Sequence, residues 1–166
     1  MRLALPLLLA LSACSSAPQA PQQVGQPQDL ESAAVERGMV RDPRDTDIAG
    51  LYARDTDRVC IVQGDDGYRI GAFVDYGDKI TCSGSGNVTR VGDKLHIQLG
   101  ADADGCSFDA RFDGDKLYFP GNVPDGCAKL CARRASYAGL EVSRLSESAA
   151  EARAMRDPQG RVLCGK

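Results

Sequence analysis

The stretch YRIGAFVDYGDKI, residues 68–80, contains the two features that decide the fold of this chain. Apolar or aromatic side chains occupy every second position from Tyr68 to Tyr76. This period of two is typical of an antiparallel strand with one buried and one solvated face. The tetrapeptide that follows, from Gly77 to Ile80, places a glycine and an aspartate where the strand would have to turn. The stretch therefore predicts a strand that ends in a tight hairpin turn.

The same tetrapeptide, Gly-Asp-Lys followed by an aliphatic residue, occurs three times in the chain. It begins at Gly77, Gly92 and Gly114, and each copy lies between two segments of period two. A repeated anion-binding loop, built from backbone N–H groups and a lysine, would be the functional interpretation. The position between strands favours a turn instead, in which the glycine adopts the positive φ that a two-residue hairpin requires. The segment GDDG at residues 64–67 predicts a similar turn.

Alternating segments continue along the chain from about residue 47, and they predict a mainly β domain. The further strand candidates are RVCIVQ (58–63), KITCSG (79–84), NVTRV (87–91), KLHIQL (94–99), CSFDARF (106–112), KLYF (116–119) and GLEVSRL (139–145). Short strands joined by tight turns are typical of a small antiparallel meander that closes into a barrel. Two helices should interrupt the strands: a short one near 126–134, capped by Asp125, and a C-terminal one near 147–155, capped by Ser146.

Seven cysteines are present, and six of them fall within the β domain. These six are Cys60, Cys82, Cys106, Cys127, Cys131 and Cys164. An even number in an exported domain predicts three disulfides, although many pairings are open and the sequence does not choose among them. We expect Cys164 to attach the C-terminal tail to the barrel, and Cys127 and Cys131 to bond to different strands. The alternative is a zinc site formed by Cys127 and Cys131 with His96, but the sequence has no second close pair of Cys or His residues to complete it.

The N-terminus predicts a signal peptide over residues 1–13. Arg2 precedes an apolar run, residues 3–11, which has the length of a secretory signal and is too short to span a bilayer. The sequence LSAC at residues 11–14 resembles the lipobox of bacterial lipoproteins. The resemblance implies cleavage before Cys14, acylation of that cysteine and anchoring in a lipid bilayer. An ordinary secretory signal, whose cleavage discards the cysteine, is the alternative.

The residues after Cys14 indicate where the domain is held. Ser15 stands where lipoproteins of the enteric type carry an aspartate that retains them in the inner membrane, so the resemblance implies the outer membrane, with the domain in the periplasm. The next segment, residues 15–28, is rich in Pro, Gln and Ser and predicts an unfolded tether, and a short helix should follow it. The lipidated tether and helix thus occupy residues 14–46, and the disulfide-stabilised β domain occupies residues 47–166.

The charge balance and the acidic clusters exclude several kinds of partner. The chain has 20 Lys and Arg against 23 Asp and Glu, and its net charge is −3. A mildly acidic chain does not suit nucleic acid. The acidic clusters lie at Asp45, Asp47, Asp55 and Asp57 and at Asp102 and Asp104. They lack the spacing of a Ca²⁺ loop and fit turns better, so we expect neither a metal nor another cofactor.

No catalytic constellation stands out in the sequence. The single histidine, His96, would have to be the base of a Ser-His-Asp arrangement, but it alternates with Lys94 and Gln98 on what should be a solvated strand face. Phosphate loops, dinucleotide fingerprints and the Gly-x-Ser-x-Gly motif are absent from the sequence. We therefore expect a non-catalytic binding or structural module of the cell envelope. Its partner would be another envelope protein, a cell-wall polymer or a small ligand.

One segment, CSGSGNVTR at residues 82–90, is similar to a Ser- and Gly-containing loop of the membrane-bound lysozyme inhibitors of Gram-negative bacteria. Those inhibitors are also small lipoproteins with a β-barrel domain. The resemblance implies a partner-binding loop that carries Ser83, Ser85, Asn87 and Arg90. In an inhibitor, Ser85 or Arg90 would donate hydrogen bonds to the catalytic carboxylates of lysozyme. The alternative interpretation of the segment is a hairpin bulge with no partner.

Overall fold

The structure is a computed structural model that describes part of the chain. The described residues are 29–37, 39, 47–100 and 105–165. The predicted signal peptide, Cys14 and the tether lie outside them, as do Asp45, Asp102 and Asp104. The chain divides into two units between Asp42 and Pro43, and helix α1 (Leu30–Glu36) belongs to the first unit. No helix in the described part of the chain has the length and apolar character needed to cross a membrane.

Eight antiparallel strands in the described residues of the second unit close into a barrel. They are β1 Gly50–Arg54, β2 Asp57–Gly64, β3 Gly67–Asp75, β4 Thr81–Val91, β5 Lys94–Leu99, β6 Ser107–Phe112, β7 Lys116–Tyr118 and β8 Glu141–Ser146. Each strand pairs with the next one along the chain, and β8 pairs with β1 to complete the barrel. The prediction of a mainly β meander that closes on itself is confirmed.

The Gly-Asp-Lys tetrapeptides are turns. Gly92 and Gly114 begin the β4–β5 and β6–β7 hairpins with φ values of +65° and +103°. Both therefore adopt the left-handed conformation that a glycine takes at low cost. The β3–β4 connection is different, because Gly77, Asp78 and Lys79 all have positive φ. The tetrapeptide therefore forms two kinds of turn rather than a repeated binding loop.

Apolar side chains fill the barrel and also cover part of its outside. Inside lie the largest fully buried side chains, which include Tyr52, Ile61, Ile70, Leu95, Ile97, Phe112, Leu117 and Tyr137. A second cluster forms on the outer face of β2 and β3, where helix α2 (Ala149–Ala154) and the C-terminal tail, residues 156–165, are packed. Its members are Cys60, Val62, Phe73, Ala152, Met155, Leu163 and Cys164. These two strands are therefore buried on both faces.

Three disulfides connect the barrel to its two irregular segments. Cys60 on β2 is bonded to Cys164, which confirms that Cys164 attaches the tail to the barrel and identifies its partner, which the sequence had left open. Cys82–Cys131 and Cys106–Cys127 tie the long β7–β8 connection to β4 and to the residue before β6. The two cysteines of this connection therefore reach different parts of the sheet. Such bridges typically contribute about 2–4 kcal/mol each, mainly by restricting the unfolded chain.

The helix predicted near 126–134 is shorter than expected and of a different type. It is a 3₁₀ helix, Asp125–Leu130, and its N-cap residue is Pro124, so the Asp125 side chain does not cap it. The helix ends because Cys131 has extended backbone and forms a β-bridge with Cys82, to which it is also disulfide-bonded. The sheet and the disulfide together override the local preference for a longer helix.

The C-terminal helix near 147–155 is present but begins later. It is α2, and the hydroxyl of Ser148 accepts a hydrogen bond from the backbone N–H of Glu151 at 3.3 Å. Ser148 therefore caps the helix in place of Ser146, which is the last residue of β8. Since Ser146 Oγ accepts the N–H of Ser148 at 3.1 Å, it helps to turn the chain from strand to helix.

Two strands differ from the sequence prediction. Residues 79–84 and 87–91 were expected to form separate strands, but β4 runs unbroken through the glycine-rich centre. A side chain at Gly86 would collide with the carbonyl oxygen of Gln98 on β5, so glycine permits close pairing at this point. The sequence also gave no expectation for β1, which is short and closes the barrel between β2 and β8.

A groove along strand β4 as the candidate functional site

The structure brings three of the four predicted partner-binding residues together and separates the fourth. Because side chains alternate along a strand, Ser83, Ser85 and Asn87 project from the outer face of β4. Arg90 belongs to the opposite set and lies at one end of the barrel, where its guanidinium is 5.0 Å from the ring centroid of Phe112. The segment is a strand where a loop was expected: it pairs with β3 as far as Val88 and with β5 from Gly86 onward.

The outer face of β4 is the floor of a groove of about 480 Å³, here called the β4 groove. Ser83, Ser85 and Asn87 form the floor, and residues 161–163 of the C-terminal tail line it. The remaining lining comes from Gly84, Gly86, Gly100, Leu130 and Arg69. Arg69 stands opposite Asn87 in the pairing of β3 with β4. This volume falls within the range typical of small-ligand sites.

The C-terminal tail is fixed to the floor of the groove by Asp157. Its carboxylate, which is completely buried, accepts a hydrogen bond from Ser83 Oγ at 2.8 Å and one from Arg161 Nε at 2.7 Å. It also accepts the backbone N–H groups of Gln159 and Arg161 at 3.0 and 2.9 Å. One carboxylate therefore organises the turn of the tail and joins it to β4. The Arg161 side chain remains 63% exposed at the groove.

These contacts determine the charge state of Asp157. Burial alone would raise the pKa of the carboxyl group. The hydrogen bonds from Ser83 and Arg161, together with the positive charge of Arg161, outweigh this effect and hold the pKa below its ordinary value. Asp157 is therefore ionised at neutral pH and neutralises much of the charge of Arg161.

Arg69 is the least compensated polar group in the groove. Its Nε atom is buried and has no hydrogen-bond partner among the described residues. Burying such a donor without a partner is unfavourable, by about 1–3 kcal/mol and more when the group is charged. Buried polar groups without partners are rare in native structures, so each one calls for an explanation. Arg69 lines the groove, and an anionic ligand that drew its guanidinium outward would give this donor a partner, so such a ligand would gain most binding free energy at Arg69.

The β4 groove continues into a neighbouring pocket of about 310 Å³. The two spaces share Ser83, Leu130 and Arg161, and the second is also lined by Lys129. Three cationic side chains thus border an elongated, polar surface on a chain whose net charge is −3. The local charge is opposite in sign to that of the whole chain, which favours an anionic ligand.

A second polar cluster lies on the outer face of β5 and β6. His96 Nδ1 is 2.9 Å from Asp109 Oδ1, and His96 Nε2 is 3.1 Å from Ser107 Oγ, which is the order of a Ser-His-Asp triad. This cluster is not evident from the sequence, because it depends on the register that sets His96 opposite Asp109. The His96 and Asp109 side chains are 47% and 49% exposed, whereas the carboxylate of a working triad is buried. With Lys94 at 3.3 Å from Asp109, the group is a surface charge cluster.

Two acidic residues near β1 bind backbone N–H groups. Asp47 Oδ1 accepts the backbone N–H of Ala49 at 2.9 Å in a local turn, as the sequence indicated, whereas Asp57 Oδ1 accepts that of Asp75 at 3.1 Å and so joins the start of β2 to the end of β3. Within the described ranges, no three His, Cys, Asp or Glu side chains are grouped as metal ligands would be.

Comparisons with known proteins provide no relative from which a function could be transferred. The sequence matches no protein-family model, and neither the curated proteins nor the solved structures gave a match. The lipobox and the likeness to lysozyme inhibitors therefore stay predictions. The class of protein is defined by the fold and the groove: a disulfide-stabilised, eight-stranded antiparallel barrel with a cationic, polar groove on its outer face.

Proposed function

We propose that this chain is a lipid-anchored module of the outer membrane that binds a cell-wall polymer in the β4 groove without catalysing a reaction. Acylated Cys14 would hold it in the bilayer, and its barrel would lie in the periplasm. The observation that carries the proposal is the composition of the groove. Arg69 supplies positive charge and Arg161 supplies further N–H groups, while Ser83, Ser85 and Asn87 supply hydroxyl and amide groups.

A polymer of the wall fits this lining better than a folded protein does. The centres of protein–protein interfaces are rich in aromatic and other apolar anchors. The β4 groove has no aromatic side chain among its described lining residues, and its apolar side chains are those of Leu130, Val162 and Leu163. Hydroxyl, amide and guanidinium groups match the hydroxyl, amide and carboxylate groups of a glycan that carries short peptides.

The predicted tether supports the same assignment. Residues 15–28 would reach about 45 Å when fully extended, so the barrel could contact material well above the membrane surface. An unfolded tether of this kind also leaves the barrel free to orient its groove along a polymer.

The proposal is tested by sedimentation with purified cell-wall sacculi. The full chain, in mild detergent, is mixed with sacculi and centrifuged, and we expect it in the pellet. The double substitution Arg69→Gln and Arg161→Gln should move it to the supernatant. Arg111→Gln, which removes an exposed arginine from the outer face of β6, is the matched control and should still sediment.

A wild-type chain that stays in the supernatant would overturn the proposal. In a parallel sample, lysozyme replaces the sacculi and its hydrolytic activity is measured. Stoichiometric inhibition of lysozyme, without binding to sacculi, would replace wall binding by the inhibitor function that the likeness of residues 82–90 implies.

A further inference from the structure

We infer that Arg69 is the binding residue for a single carboxylate, and that the ligand of the β4 groove is the C-terminal carboxylate of a short peptide. The inference rests on the proposed function and identifies the chemical group that the groove recognises. It starts from the buried Nε of Arg69, which has no partner in the part of the chain that the structure describes. A guanidinium presents paired N–H donors in a rigid plane, and the two oxygens of a carboxylate match that geometry.

The charges in the groove favour a ligand with one negative charge. Arg161 is bonded to the buried carboxylate of Asp157 through Nε and a terminal nitrogen, both at 2.7 Å. This pair is close to neutral, so within the described lining of the β4 groove Arg69 contributes the main uncompensated charge. A phosphate dianion would need more positive charge, or backbone N–H groups turned toward it, to offset its desolvation. At Asn87, beside Arg69, the backbone of β4 is paired with both β3 and β5, so it offers no free N–H group to a phosphate there.

The neighbours of Arg69 suit a peptide that continues from the carboxylate. Asn87 faces Arg69 directly across the β3–β4 ladder, and Ser85 is the next outward residue along β4. Directly opposite residues have Cβ atoms about 5 Å apart, so the three side chains are within reach of one ligand. The Asn87 amide can donate and accept, and the Ser85 hydroxyl can do both, which matches a peptide N–H and C=O.

The experiment uses two probes that differ only in charge: acetyl-D-alanyl-D-alanine and its C-terminal amide. Each is titrated into the isotope-labelled full chain in detergent, and backbone amide shifts are followed by NMR. We expect the acid to shift Ser85 and Asn87 and to bind at least tenfold more tightly than the amide. Arg69→Gln should weaken binding of the acid at least tenfold, Arg69→Lys less, and Arg111→Gln not at all. Inorganic phosphate should compete poorly with the acid.

The inference is overturned if acid and amide bind equally, if Arg69→Gln retains the wild-type affinity, or if phosphate competes better than the peptide acid. An unchanged amide spectrum away from the groove shows that the Arg69→Gln variant is folded. The sedimentation assay separates the two claims. Binding of the acid without binding to sacculi supports the carboxylate site and overturns wall binding. Binding to sacculi, with equal affinity for the acid and the amide, supports wall binding and overturns the carboxylate site.

Discussion

A single buried carboxylate determines the shape of the candidate site. Asp157 follows α2 and lies under the tail, yet its hydrogen bond from Ser83 reaches the central strand of the groove floor. This bond joins two residues that are 74 positions apart in the sequence. Loss of the charge at this one position should loosen the tail and the groove together.

We predict that Asp157→Asn lowers the free energy of unfolding by about 1–3 kcal/mol at neutral pH, the usual contribution of hydrogen bonds to a charged group. The folded-state pKa of Asp157 lies below its ordinary value, so ionisation stabilises the fold above about pH 4. This contribution is lost as the pH falls through the folded-state pKa. Urea unfolding of both chains from pH 7 to pH 2.5 should show a constant difference down to about pH 4 and a shrinking one below it. A difference that grows on acidification would contradict this role.

At the scale of secondary-structure elements, β4 combines a structural and a binding role. Its inward residues Cys82 and Val88 belong to the barrel core, while its outward residues form the groove floor. The glycines between them allow the neighbouring strands to approach closely. The strand can therefore carry a polar surface without a break in the barrel.

We predict that Gly86→Ala destabilises the chain by about 3 kcal/mol, because the new methyl group would overlap the carbonyl oxygen of Gln98. Gly121→Ala is the matched control, since the space around Gly121 is open and its φ is not positive. That variant should be neutral or slightly more stable, through a less flexible unfolded chain. Thermal unfolding measures both. Equal melting temperatures for the two variants would mean that β4 and β5 can separate at this point without loss of stability.

Local patterns in the sequence predict most of these elements, but not their contacts. The alternation of polar and apolar residues in KLHIQL predicts both ends of β5 correctly, because this pattern depends only on residues that are adjacent in the sequence. The unbroken course of β4 and the meeting of Arg69 with Asn87 depend on register, which long-range pairing decides. The groove was anticipated only as a set of polar residues on one segment, and its wall of residues 161–163 was not anticipated at all.

At the scale of the whole molecule, we expect the Cys60–Cys164 bond to determine whether the tail stays packed on the outside of the barrel. It spans 104 residues, and the tail that it holds contributes both to the outer apolar cluster and to the groove. The sequence indicated that Cys164 would attach the tail. It could not indicate the partner strand, because many pairings of six cysteines satisfy the same pattern.

We predict that replacing Cys60 and Cys164 by serine lowers the free energy of unfolding by about 2–5 kcal/mol and exposes the tail. Trypsin should then cleave after Arg161 much faster, under conditions in which the barrel stays folded. Replacing Cys106 and Cys127 by serine is the control, since this pair joins the β7–β8 connection to the start of β6. It should also destabilise the chain but leave the rate of cleavage after Arg161 nearly unchanged. Equal cleavage rates in the two variants would show that other contacts hold the tail.

The order of the disulfides has a consequence for biogenesis. The three bonds are nested, with Cys106–Cys127 inside Cys82–Cys131 and both inside Cys60–Cys164. Of these six cysteines, Cys60 and Cys82 would be exposed first by a chain that enters an oxidising compartment from its N-terminus, and oxidation in order of arrival would join these two wrongly. Correct pairing then requires thiol–disulfide exchange that breaks the early bond and forms the nested set. If the chain is exported, as its N-terminus predicts, we expect correct pairing to require a disulfide isomerase as well as an oxidant.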